Sequence, residues 1–328
     1  MNVLVDHADG RSTGYTEAIE SAGHSVVFPD RKLSEEELIA FGQGAHCLVR
    51  LAASRKLIES LPDLRAVVTH AIGYDKIDVD AATEHGVLVC SSPSAENIYG
   101  VAETAIGLMV ALAKKLKKKE RTLRAGGWAL QADRGTLIAG KTIGIIGLGR
   151  IGQAVARRLS GWDAELIAYS PRPKIDVGSE LGVRFVDLNE LLRLSDVIML
   201  HVPSTKETKG MLGRTELAKM RLGSMIVNLA RGGIVDEQAL AIAINDEKIG
   251  GAALDVFGNE PLEQGSPLLE ADPDRLILTP HNASSSVESR VGNVRVATEN
   301  VLQVLQGKIP ENAVNPEIAA RWRGRLTS

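Results

Sequence analysis

Three side chains at three separate places could together carry out proton-coupled chemistry on a molecule that bears a carboxylate. Arg231 stands in Asn228-Leu229-Ala230-Arg231-Gly232-Gly233, directly after an apolar run. Arginine can hold a carboxylate by two parallel N–H bonds and polarise an adjacent carbonyl. His281 stands in Thr279-Pro280-His281-Asn282, after the apolar run Leu276–Leu278. Histidine can pass a proton near neutral pH. Glu260, just before Pro261, could fix an imidazole and favour its charged form. Each has a plainer reading: Arg231 as a surface ion-pair residue, His281 as a loop histidine, Glu260 as the start of a turn.

A second constellation says what these groups could work beside. The stretch Gly144-Ile145-Ile146-Gly147-Leu148-Gly149-Arg150-Ile151-Gly152 follows an apolar run and precedes the helix-like Gln153–Leu159. This pattern predicts a strand, a tight turn and a helix opening. Gly147 would make the turn, Gly149 would let backbone approach a pyrophosphate, and Gly152 would let helix and strand pack closely. The helix start would offer unpaired N–H groups and positive dipole to phosphates. A further apolar strand, Ala164–Tyr169, ends at Ser170, 18 residues past Gly152 (170 − 152). That spacing suits the residue that reads a ribose in a dinucleotide fold.

The elements that must position these groups alternate along the chain. Short apolar runs at Val3–Val5, Ser25–Phe28, Cys47–Val49, Ala66–Thr69 and Val87–Cys90 are separated by polar, helix-like segments. One of those segments opens on a Ser34-x-x-Glu37 capping box. This predicts a complete small parallel α/β unit without a glycine triplet, read as a substrate domain. Val101–Leu123 is expected as one long helix, with Val101, Ala105, Leu108, Met109, Leu112 and Leu116 on one stripe. After Tyr169 the rhythm resumes with strands at Val197–Leu200, Met225–Leu229, Ala252–Asp255 and Leu276–Leu278. Val287–Leu305 reads as a second long helix leading to a polar tail. The expected architecture is α/β: two doubly wound parallel-sheet domains, with a Rossmann domain at 98–285 inserted into a flavodoxin-like domain formed by 1–97 and 286–328. Ligands are expected in the crevice at the strand ends.

Composition narrows the classes. At 328 residues the chain exceeds the roughly 250 residues that one core usually serves. A net charge of −3 gives no global case for nucleic-acid or membrane binding. The lysines at 114, 115, 117, 118 and 119 have no interleaved aromatics, so they read as a solvated face. Cys47 and Cys90 read as reduced core residues. No signal-peptide pattern and no apolar stretch of about 20 residues is evident, which suggests a cytoplasmic chain. No metal is expected.

Six motifs in order give a resemblance over almost the whole chain. They are Ala71-Ile72-Gly73-Tyr74-Asp75-Lys76-Ile77-Asp78, Val101-Ala102-Glu103, Gly147–Gly152, Asn228–Asp236, Ala253-Leu254-Asp255-Val256-Phe257 and Thr279-Pro280-His281. Together they resemble the D-isomer-specific 2-hydroxyacid dehydrogenases, of the glyoxylate/hydroxypyruvate reductase or phosphoglycerate dehydrogenase kind. The resemblance implies a homodimer, a nicotinamide cofactor and a 2-keto or 2-hydroxy acid substrate. It implies that Arg231 binds the substrate carboxylate and C2 oxygen, that His281 is the acid/base and that Glu260 is its partner. Backbone N–H groups near Ile72 and Gly73 would grip the carboxylate. From its place at the end of the third strand run, Arg50 reads either as reaching the substrate's far end or as a surface arginine. Arg150 and Ile151 would meet the pyrophosphate, and Asp255 the nicotinamide carboxamide. His201, Val202, Pro203, Thr208 and Leu229 complete the expected cofactor contacts. For His201 and His70 a structural role is weighed beside the functional one. A catalytically silent NAD(P)-sensing protein of corepressor type is the alternative.

Two departures from the family pattern stand out. NAD-preferring relatives usually carry aspartate where this chain has Ser170. Here Tyr169-Ser170-Pro171-Arg172-Pro173-Lys174 offers a hydroxyl, two cations and no acid. That composition favours a 2′-phosphate, with Arg172 as its main partner, and so NADP over NAD. After His281 stands Asn282-Ala283-Ser284-Ser285-Ser286, where relatives have isoleucine and glycines. No regulatory domain of the kind in the long phosphoglycerate dehydrogenases is expected after Ser328, which argues mildly against serine-pathway control.

Overall fold

A computed structural model describes residues 1–6, 14–128 and 134–324. The chain divides into two compact units, Met1–Asn97 with Ser285–Ser328, and Ile98–Ser284.

The first unit is built on five parallel strands: β1 (Asn2–Val5), β2 (Ser25–Val27), β3 (Cys47–Val49), β4 (Ala66–Val68) and β5 (Leu88–Cys90). Their order is β2-β1-β3-β4-β5, the flavodoxin-like doubly wound arrangement. Side chains alternate between faces as the strand period requires. Val3, Val5, Cys47 and Val49 enter one core, which the helix Val287–Leu305 covers with Ala297, Val301 and Val304. Leu4, Leu48 and Val67 enter the other. Both cysteines are buried free thiols. Burial pushes the Cys90 thiol up to about 12, and Cys47 is raised by burial and by its neighbour Cys90, so both are inert core residues. The expected polar tail is instead structured: helix Ala319–Gly324 buries Trp322 fully, and its indole N–H donates to the Arg65 carbonyl at 2.9 Å.

The second unit carries seven parallel strands: β6 (Thr142–Ile146), β7 (Glu165–Tyr169), β8 (Val183–Phe185), β9 (Val197–Leu200), β10 (Ser224–Asn228), β11 (Ile249–Leu254) and β12 (Leu276–Leu278). Their order is β12-β11-β10-β9-β6-β7-β8. Chain direction across the sheet reverses between β6 and β9, which is the switch point where ligands bind in such sheets. Ile143 and Ile145 face one core with Met109 and Val155. Ile146, Leu200 and Ile226 face the other with Leu240.

Three elements differ from the sequence expectation. The long helix over Val101–Leu123 is two helices, Ala95–Ala113 and Leu116–Arg124, broken at Lys115, whose φ is 52°. The Ala113 carbonyl there accepts from the Thr136 N–H at 2.7 Å, and Lys114 Nζ reaches the Thr136 carbonyl at 2.8 Å. A returning segment therefore takes the carbonyl that a continuous helix would use. Strand β8 is an edge strand with Arg184 at its centre and gives no apolar run. Strand β11 starts three residues before the expected Ala252 because Gly250 and Gly251 hide it. Both glycines sit where a Cβ would strike backbone, at the Gly223 and Arg275 carbonyls respectively.

Candidate active site

The glycine turn lies at the switch point. Gly147, with φ 96°, follows β6, and a Cβ there would sit 2.6 Å from the His201 carbonyl oxygen that follows β9. Gly152, in the helix Arg150–Leu159, presses on the Gly147 carbonyl and has no room for a Cβ. These two glycines are required by the protein's own packing. Gly149 is different. It is exposed at the helix start, caps it with no side chain, and a Cβ there would meet nothing within 4 Å. Its missing side chain keeps open a space bordered by helix N-terminal amides. That is what a dinucleotide pyrophosphate needs, and the residues present fit such a group.

The other expected cofactor residues lie around this turn or form local turns of their own. Arg150 is exposed and Ile151 half-buried on the helix's first turn. His201 Nε2 is buried with no hydrogen-bond partner, although the residue as a whole is only half-buried. Burial pushes the imidazole down to about 4, so the ring is neutral near pH 7. Val202 Cγ1 packs against Gly147. Thr208 Oγ1 donates to the Pro203 carbonyl at 2.7 Å and accepts from the Thr205 N–H at 2.8 Å. Leu229 is a core residue. After β7, Ser170 and Arg172 share a tight turn: the Arg172 N–H lies 3.4 Å from Ser170 Oγ. Both Arg172 and Lys174 are exposed.

The acid/base candidates meet. His281 Nδ1 and Glu260 Oε2 are 2.8 Å apart. Nδ1 is thus engaged by the carboxylate, and Nε2 is the atom left to exchange a proton. The His281 side chain is 50% exposed and that of Glu260 is 23% exposed, so the pair is open to an incoming molecule. Glu260 Oε1 also accepts from the Phe257 N–H at 3.2 Å.

The turn that carries His281 is set by Asp255, at the end of β11. Asp255 is buried, and its Oδ1 accepts from Thr279 Oγ1 at 2.6 Å and from the Asn282 N–H at 3.0 Å. Its Oδ2 accepts from the Ala283 N–H at 2.9 Å. Three donors bracketing residue 281 hold His281 at φ 50°, a left-handed backbone that costs a non-glycine residue on the order of 1 kcal/mol or more. The resemblance assigned Asp255 only to the cofactor. The structure shows a buried carboxylate whose bonds shape the histidine turn.

Arg231 follows β10 on a turn shaped by the buried Asn228, whose amide oxygen accepts from the Ala230 N–H at 3.0 Å and whose amide nitrogen donates to the Arg231 carbonyl at 3.0 Å. Arg231 is half-buried, and its Nη1 donates to the Ala230 carbonyl at 2.6 Å. Arg50, Ile72 and Gly73 lie in the first unit. Arg50 Nε pairs with Asp6 Oδ2 at 3.1 Å, both at the C-terminal ends of neighbouring strands. Ile72 and Gly73 belong to the turn after β4, where the Ala71 N–H donates to Thr69 Oγ1. Sequence reasoning gave no role to Asn228, Thr279 or Glu237. Their only signal is position, Asn228 and Thr279 as the first residues of named motifs and Glu237 directly after one, since each acts through a partner that folding brings near.

In the lysine-rich segment, Lys117 Nζ donates to the Leu276 carbonyl and Arg121 pairs with Asp274 at 2.5 Å. Its cations are therefore partly committed within their own unit. Among the described residues, no group of three or more His, Cys, Asp or Glu could hold a metal, and no helix is long and apolar enough to cross a membrane.

Comparison with known proteins bears on this arrangement. Residues 106–283 match the family model described as D-isomer specific 2-hydroxyacid dehydrogenase, NAD binding domain. The chain belongs to this family. It is 40% identical over 299 residues to a D-3-phosphoglycerate dehydrogenase of Methanocaldococcus jannaschii, covering 90% of this chain and 56% of the relative. It is 36% identical over 277 residues to a glyoxylate reductase of Thermofilum pendens, covering 83% of this chain and 81% of that one. The chain thus spans about half the length of the curated phosphoglycerate dehydrogenases it matches. Among solved structures, a glyoxylate reductase from Paecilomyes thermophila superposes with a TM-score of 0.86 at 28% identity, covering 97% of this chain and 99% of that one. Family membership accounts for both parallel sheets and for the NAD-binding character of the glycine-turn region.

The glycine turn separates two kinds of requirement, and substitution distinguishes them. Gly149→Ala is expected to leave the melting temperature unchanged and to weaken dinucleotide binding about tenfold or more, measured by titration of the cofactor's fluorescence. Unchanged affinity would show that the cradle does not hold the pyrophosphate.

Proposed function

We propose that this dehydrogenase-family chain reduces 2-keto acids to D-2-hydroxy acids with NADPH in preference to NADH. The observation that carries the reading is the His281–Glu260 pair at 2.8 Å, set in the same unit as an open dinucleotide cradle. The bound nicotinamide would supply the hydride to C2, or take it in the reverse direction. Arg231 holds the substrate carboxylate and draws electron density from the C2 oxygen. His281, with Nδ1 engaged by Glu260, gives a proton from Nε2 to the oxygen as it becomes an alkoxide. In the oxidative direction the same atom takes that proton back. Substrate-binding roles for Arg50, Ile72 and Gly73 belong to this reading, as do cofactor contacts from Arg150, Ile151, His201, Val202, Pro203, Thr208 and Leu229. Asp255 Oδ2, which accepts one protein donor, retains capacity for the nicotinamide amide.

The cofactor preference rests on the segment after β7. An adenine ribose with a free 2′-hydroxyl is favoured by a carboxylate at the strand end, and here the residue is Ser170. The exposed Arg172 and Lys174 instead favour a phosphate. In this reading the enzyme works as a homodimer in the cytoplasm, and its substrate is one of glyoxylate, hydroxypyruvate or a larger 2-keto acid.

Reduction assays across such a panel with both cofactors test the proposal. At least one 2-keto acid is expected to turn over, with kcat/KM higher for NADPH than for NADH. A tenfold preference for NADH would overturn the cofactor assignment, and no turnover of any 2-keto acid would overturn the reaction. With the best substrate, Arg231→Ala is expected to reduce kcat/KM by about 2 to 4 kcal/mol of transition-state stabilisation, by analogy with the loss of one anion-stabilising donor. An unchanged kcat/KM would remove Arg231 from the chemistry.

A further inference from the structure

Arg231 and the His281–Glu260 pair reside on different strand-end segments. Besides the Asp255 N–H bond to the Asn228 carbonyl, one peptide group, Phe257–Gly258, makes close contacts between the segments after β10 and β11. On one side, Gly232 lies so close to the Phe257 carbonyl that a Cβ at position 232 would overlap it, and the Gly258 nitrogen would be only 2.7 Å away. On the other side, the Gly258 N–H donates to Glu237 Oε1 at 2.6 Å. The neighbouring Phe257 N–H goes to Glu260 itself. Thus two positions that follow Arg231, one residue and six residues after the arginine, grip the peptide that leads into Glu260.

Glu237 has a simpler role available and does not take it. It is the first residue of helix Glu237–Asn245, whose N-cap is Asp236, and it is Asp236 Oδ1 that accepts from the Ala239 N–H at 2.9 Å. The Glu237 carboxylate is therefore released from capping its own helix. It spends its charge on a single amide 21 residues away in sequence. A charge-assisted bond of that length is about twice as strong as a neutral one. Phe257 is buried in the core on the near side of this peptide, whereas Gly258 and Asn259 are exposed, so on the side toward Glu260 the peptide is held by Gly232 and Glu237.

We infer that Glu237 is a positioning residue for the acid/base pair. By holding the Phe257–Gly258 peptide against Gly232, it fixes the place of Glu260, and through it the ring of His281, relative to Arg231. It touches neither substrate nor cofactor and donates no proton. Its requirement is for an acceptor oxygen at this place, so glutamine meets it and alanine does not.

The kinetic arm rests on the 2-keto acid reductase reading, and a second arm does not. In the full-length protein, Glu237→Ala is expected to lower kcat at least tenfold while the KM for NADPH stays within about twofold and the protein remains folded by its melting temperature. Glu237→Gln is expected to restore at least half of the wild-type kcat. Independently of turnover, the proton NMR signal of the His281 Nδ1–H···Glu260 bond, assigned by its loss in His281→Asn, should vanish or broaden in Glu237→Ala and persist in Glu237→Gln. Wild-type kcat and an unchanged His281 signal in Glu237→Ala would overturn the inference, as would a glutamine variant as impaired as the alanine one. If wild type turns over no 2-keto acid, the functional reading fails, and the NMR comparison alone still decides the role of Glu237.

Discussion

The placement of the proposed acid/base pair depends on one buried carboxylate. Asp255 closes β11 beneath the histidine turn and receives three donors from residues 279, 282 and 283. Without it, the Asn282 and Ala283 N–H groups and the Thr279 hydroxyl would need other partners, and an unmade bond to a buried group costs on the order of 1 to 3 kcal/mol. The left-handed backbone at His281 would keep only the bond from its own N–H to the Thr279 carbonyl at 3.0 Å and lose the bonds on either side of it. Asp255 also begins the segment that ends at Glu260, the residue on the far side of the imidazole. The same short stretch of chain thus fixes the histidine's backbone from below and its ring from the side.

The sheet explains why so many of these groups can meet. Seven parallel strands end on one edge, and the order reverses beside β6. The turn after β6 carries the glycines, and His201 after β9 packs against it. The segments after β10, β11 and β12 bring Arg231, Glu260 and His281. The sheet itself is held by buried faces of isoleucine, leucine and valine. The chemistry-bearing residues sit on loops, where backbone groups need specific partners. Asn228 and Asp255 supply those partners from buried positions at or just beyond the ends of β10 and β11. Rigid strands thus pass their precision to loops through side chains that cap them.

Much of this was legible in the residues. Short continuous apolar runs marked most strands, and the glycine spacing marked the turn at the switch point. Arg231, Glu260 and His281 stood out by type and by place after strands. What stayed hidden was set by tertiary contact. Lysines favour helices, so nothing local announced the break at Lys115, where a returning segment takes the Ala113 carbonyl. Edge strand β8 is short and polar at its centre, and the two glycines opening β11 read as a loop. Trp322 looked like part of a polar tail because its core partners lie far away in sequence. Glu237 looked like an ordinary acid in a helix's first turn, since its partner Gly258 is found only in the folded chain. Asp255 was visible as a motif residue, but its three bonds to the turn were not.

Asp255 holds the turn that places His281 for the proposed acid/base step. The most direct measurement is the steady-state kinetics of Asp255→Asn with the best 2-keto acid, paired with the NMR signal of the His281–Glu260 bond. Asparagine keeps the size but replaces one acceptor oxygen with a donor facing N–H groups. The account predicts a loss of kcat of tenfold or more and loss of the His281 signal, in a protein that still melts cooperatively. A folded variant with wild-type kcat and an intact His281–Glu260 signal would contradict it.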